Sequence, residues 1–143
     1  MTSEPGAPDP IGVVLPGMGF GASLGVGLQG LVTFGVDVLK SAAPLSDKPS
    51  LGSPHALMLL LGTPTAMALA GWVTWTLLAP IRNPWRQAML AIVVGLGSFV
   101  FSALLIWPLH SSFGRLGILG LIAVAAVVCL LIGRRIFALR PAT

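Results

Sequence analysis

Few side chains in this sequence can do chemistry, and their spacing restricts what that chemistry could be. His55 and His110 are its two histidines. A pair of neutral imidazoles at helix ends can ligate a metal, a haem or a chlorin. A metal site needs more ligands than two, and neither histidine has a cysteine, aspartate or glutamate close by in sequence. An interfacial position between hydrocarbon and water is the stronger expectation for both rings. No cofactor is therefore expected, and His55 and His110 are the residues that would hold a haem or pigment if one bound. Cys129 is the single cysteine, which excludes an internal disulfide and suits a small packing residue.

Asp37 is the one acid inside or beside an apolar stretch, and a carboxylate in that setting is a functional candidate by default. Counted from Gly17, it lies about 30 Å along a helix, which is a membrane boundary rather than the midplane. Lys40, one turn later, is the expected partner in a surface ion pair. The sequence has no paired acid and base, no Ser–His–Asp set, no phosphate loop and no HExxH, so an enzyme is not expected. No Asp or Glu follows Asp47. That excludes the proton-carrying ring subunits of rotary ATP synthases, which need a midmembrane carboxylate on their second helix. The small multidrug exporters are excluded too, because the first apolar segment has no glutamate in it.

The elements that must position these groups are four long apolar stretches, Ile11 to Leu39, Ala56 to Ala79, Gln87 to Leu109 and Leu116 to Gly133. About 20 apolar residues in a helix cross a ~30 Å hydrocarbon core. Only 8% of residues are charged, against the roughly 25% a water-facing domain carries, so the surface faces lipid. The expected fold class is an all-α bundle of four transmembrane helices, a polytopic membrane protein with a glycine-rich first helix. It forms a single helical domain over 11–139, with spans of about 11–39, 56–79, 87–109 and 116–139. An exposed loop over 40–54 carries Pro44, Pro49 and Pro54, and flexible tails cover 1–10 and 140–143. Pro16 is a candidate for the true first turn, with Ile11 to Leu15 as an interfacial lead-in. The segment from Pro80 to Arg86 and the one from His110 to Arg115 read as short connections, which make the last three helices antiparallel neighbours. Thr63-Pro64-Thr65 interrupts the second helix and can kink it.

The basic residues do not form a patch for nucleic acid. They sit at segment ends, where they set orientation and meet lipid headgroups. Arg82, Arg86, Arg134, Arg135 and Arg140 fall on one side and Lys40, Lys48 and Arg115 on the other. The excess places both termini in the cytoplasm of a bacterial-type inner membrane. Trp75 and Trp85 then lie near the inner interface and Trp107 near the outer one.

Small residues mark the packing faces. At 100° per residue, Gly17, Gly21 and Gly25 share one face of the first helix, and Gly19, Ser23, Gly27 and Gly30 share roughly the opposite one. Gly62, Ala66, Ala70 and Thr74 stripe the second helix. Ala91, Gly95, Ser98 and Ser102 stripe the third, and Ala125, Cys129 and Gly133 the fourth. In lipid, such stripes let backbones approach closely. The hydroxyls of Thr74, Ser98 and Ser102 can bond across helices or back to their own turn. A helix with two glycine faces suggests one face used inside the monomer and the other against another copy or a different subunit. The expected function is accordingly a small non-catalytic membrane subunit that packs on, stabilises or helps assemble a larger complex of the respiratory or photosynthetic kind. Its partners would be other integral subunits or its own copies, together with membrane lipids. An oligomeric channel or transporter lined by the first helix, where Gln29 and Thr33 are the deep polar groups, is the alternative. A haem or pigment carrier using His55 or His110 is the weaker one.

Overall fold

The computed structural model describes residues 10–42, 54–79 and 81–139. They form four helices, α1 (Pro10–Ala42), α2 (Pro54–Leu77), α3 (Pro84–Phe113) and α4 (Arg115–Leu139), with no strand among the described residues. All four are long and apolar enough to cross a membrane. The chain is an all-α, multi-pass membrane protein. Of the expected tail over 1–10, Pro10 is already helical, and of the expected loop over 40–54, residues 40–42 and Pro54 belong to α1 and α2; the remaining residues 1–9 and 43–53, with Lys48, and the 140–143 tail with Arg140 lie outside the described residues.

Helices α1, α3 and α4 outrun their apolar stretches, whereas α2 opens earlier than expected, at Pro54, and closes at Leu77 rather than Ala79; the helix ends show why. Proline opens α1, α2 and α3, at the one position where its missing N–H leaves nothing unsatisfied. Asn83 caps α3 by accepting a hydrogen bond from the Trp85 N–H at 3.1 Å, while Pro84 supplies the first-turn dihedral. Two expectations need correction here. Pro16 does not begin the first helix: α1 starts at Pro10 and continues through Pro16, an interior proline that forgoes one backbone hydrogen bond. His110 to Arg115 is not a loop either. Helix α3 runs past Pro108 to Phe113, and the whole reversal into α4 is made at Gly114. Its φ of 63° is the left-handed conformation that glycine adopts without steric cost, and its N–H donates to the His110 carbonyl at 2.9 Å.

The short connections do make α2–α3 and α3–α4 antiparallel pairs, but α1 organises the bundle. It packs against all three other helices, whereas α2 and α4 make no contact with each other among the described residues. Helix α4 leans mainly on α1 rather than on its hairpin partner α3. Apolar burial gives little drive for this in lipid, where tails are as apolar as leucine. Close van der Waals contact must supply it, and the glycines of α1 allow that contact on two sides.

Candidate functional site

The first glycine face of α1 is filled by α2 and α3. A β-carbon on Gly17 would lie 3.4 Å from Leu77 Cβ, and one on Gly21 would run into the Thr74 hydroxyl. At Gly25 it would lie 2.7 Å from Ser98 Cβ and 3.0 Å from Ala70 Cβ. The second face is filled by α4. Gly19 faces Ile132, Gly27 lies against Ala125, and a β-carbon on Gly30 would be 2.9 Å from Ile122. Ser23, between them, donates to the Gly19 carbonyl at 2.8 Å. Both faces are therefore occupied by this chain's own helices, which corrects the expectation that one is left for a partner. The sequence shows two small-residue faces but not how many intramolecular neighbours reach them.

The other stripes meet at the same seams. Gly62 fits against Val32, and Ala66 and Ala70 are buried. Gly95 of α3 approaches the Met67 carbonyl of α2, where a β-carbon would lie at 3.0 Å. On α4, Ala125 is buried, Gly133 faces Phe20, and the Cys129 thiol points toward the Phe20 carbonyl at 3.9 Å. Gly97 on α3 and Gly120 on α4 behave differently. Among the helical glycines with described surroundings, these two alone face open space, with nothing within 4 Å of a β-carbon. Between α3 and α4 lies an apolar groove of about 360 Å³, with Gly117, Gly120 and Val124 on one wall and Leu109 and Phe113 on the other.

The buried polar residues Gln29, Thr74, Gln87, Ser98 and Ser102 belong to α1, α2 and α3. Each hydroxyl bonds back along its own helix. Thr74 donates to Ala70 O at 2.7 Å, Ser98 to Gly95 O at 2.9 Å and Ser102 to Phe99 O at 2.8 Å. Thr33 likewise donates to Gln29 O. The cross-helix bonds come from the two glutamines instead. Gln29 Nε2 donates to Thr63 Oγ1 at 3.4 Å, beside Pro64, and Thr65 donates back to the Leu61 carbonyl. Gln87 Nε2 donates to the Trp75 carbonyl at 2.6 Å and ties the start of α3 to the end of α2. Sequence reasoning passed over Gln87, although an uncharged amide one turn inside a helix start is a visible signal. Leu78 and Val36, both buried, lie toward the two ends of this interior.

The ion-paired groups lie at one end, where α1 and α3 finish and α4 begins. Arg115 Nε donates to Asp37 Oδ2 at 2.7 Å, and His110 Nε2 stands 3.8 Å from Asp37 Oδ1. The expected Asp37–Lys40 pair is thereby replaced. Antiparallel α4 brings a guanidinium to the carboxylate, whereas Lys40 shares its helix and stays exposed. His110 faces Asp37, and the buried Nε2 of His55 has no hydrogen-bond partner among the described residues. No group of three or more His, Cys, Asp or Glu side chains able to hold a metal ion occurs among the described residues. At the opposite end Arg82, Arg86, Arg134 and Arg135 are all exposed. Trp85 and Trp107, 79% and 80% exposed, stand near opposite ends of α3. No protein-family model, curated protein or solved structure matches this chain.

Proposed function

We propose that this protein is a small non-catalytic subunit of a larger membrane complex, seated in a bacterial-type inner membrane with both termini in the cytoplasm. One observation carries the reading. Gly97 and Gly120 remain open on a bundle whose other helical glycines with described surroundings are filled, and Gly120 borders the groove between α3 and α4. Helices associate in lipid where small residues let backbones meet, so these open notches suit an apolar helix of a neighbouring subunit. The rest of the exterior suits surrounding lipid, with leucine, valine and phenylalanine outward and arginine at one rim.

The test is extraction in a gentle detergent followed by mass analysis of the intact particle. The proposal expects a defined complex with another membrane protein, weakened when Gly97→Leu and Gly120→Leu are introduced together. A clean monomer from the native membrane counts against it. Ion flux from a homo-oligomer in liposomes would instead favour the channel reading. A Soret or chlorin band lost in His55→Ala or His110→Ala would favour a cofactor carrier.

A further inference from the structure

A second groove, of about 460 Å³, lies on the lipid-facing side of the α2–α3 hairpin. Its floor is formed where the two backbones touch: a β-carbon on Gly71 would lie 3.3 Å from the Ala91 carbonyl. Trp72 and Ile92 rise on its two sides. On α3 the groove runs from Ala88 to Leu96, about 12 Å along the axis. That is close to the hydrocarbon depth of one leaflet, half of a ~30 Å core.

The groove ends at Trp75 and Ala88, next to the connection that carries Arg82 and the first turn of α3 that carries Arg86. Both guanidinium groups are exposed, and neither has a partner among the described residues. No acid follows Asp47 in the sequence, so nothing in α2, α3 or α4 can neutralise them. Trp85 belongs to the same helical stripe as Ala88 and Ile92, one turn before Ala88, and is 79% exposed. Indole rings favour this headgroup level, and arginine binds phosphate through paired N–H groups.

We propose that this hairpin is a binding site for one anionic phospholipid of the bilayer. Its phosphate is held by Arg82 and Arg86, and one acyl chain lies in the groove beside Trp72 and Trp75. The site is distinct from the α3–α4 notches, and it stands or falls independently of any partner subunit.

The test uses the full chain carrying Trp107→Phe, an exposed position at the far end of α3, so that fluorescence reports the hairpin tryptophans Trp72, Trp75 and Trp85. It is reconstituted in phosphatidylcholine vesicles containing phosphatidylglycerol or phosphatidylcholine brominated on the acyl chain, at equal mole fraction. The expected apparent preference for the anionic lipid is on the order of tenfold, given two cations at the surface. It should fall to about one when Arg82→Gln and Arg86→Gln are combined, and persist when Arg134→Gln and Arg135→Gln are combined. Ala68→Phe, at an exposed wall position, should fill the groove and reduce quenching by both lipids without lowering Tm. Equal quenching by the two lipids overturns the proposal, as does a preference that survives loss of Arg82 and Arg86. Absence of quenching by either lipid means that no acyl chain enters the groove and overturns it as well.

Discussion

Gly25 of α1 and Ser98 of α3 meet so closely that neither helix has room for one more methyl group between them. Ser98 can sit there because its hydroxyl is already turned back to Gly95 and asks nothing of α1. Ala70 of α2 closes the same point from the other side, 3.0 Å from where a β-carbon would stand. Three helices therefore meet at one glycine, and the register of the bundle depends on it.

Gly25→Ala and Gly21→Ala should each destabilise the protein by about 1–3 kcal/mol, the usual cost of overpacking a filled seam. The obstacles are a serine and a threonine held by their own helices, not flexible side-chain tips. Gly19→Ala should cost less, because Ile132 Cδ1 is the end of a flexible chain. Unfolding of the three variants in detergent, followed by circular dichroism, checks the order.

Gly97→Ala and Gly120→Ala should behave in the opposite way. Nothing lies within 4 Å of either β-carbon, so the isolated chain should keep its Tm or gain slightly from helix propensity. A loss of Tm comparable to that of Gly25→Ala would show that these positions are packed within the monomer and would remove the opening assigned to a partner.

The Asp37–Arg115 pair should be measurable as a coupling. It is partly exposed at an interface, where such pairs contribute about 1 kcal/mol or less. Asp37→Asn and Arg115→Gln should each lower stability slightly and be less than additive together, while Lys40→Gln should leave stability unchanged. A double-mutant cycle on unfolding free energy reads the coupling directly. Additive losses would mean that the two residues act separately.

Orientation has its own check. In a Cys129→Ala background, Ser112→Cys at the end of α3 should react with an impermeant maleimide added outside intact cells. Asn83→Cys at its start should react only after the membrane is opened. The reverse pattern would turn the proposed topology over, and reaction of both from outside would show that α3 does not span.

The four spans were legible because lipid imposes one rule everywhere, that the backbone bonds internally over an apolar run. Helix ends were less legible. Pro84 and Asn83 extend α3 backward and Gly114 lets it run on to Phe113, so polar or charged residues such as Arg86 and His110 fall inside helices rather than loops. Small-residue periodicity exposed the two faces of α1. It did not show that α4 would take the second, because nothing local in Gly19, Gly27 or Gly30 distinguishes a neighbour in the same chain from one in another. The partner of Asp37 was hidden for a related reason. Arg115 is far away in sequence, and only the antiparallel path through Gly114 brings it to within 2.7 Å.

The most direct measurement is the mass of the particle released from its own membrane into lipid nanodiscs without intervening detergent. A complex of fixed composition containing this chain and at least one other integral protein is expected, lost in the combined Gly97→Leu and Gly120→Leu variant while that variant stays folded. A monodisperse particle holding this chain and lipid alone would contradict it.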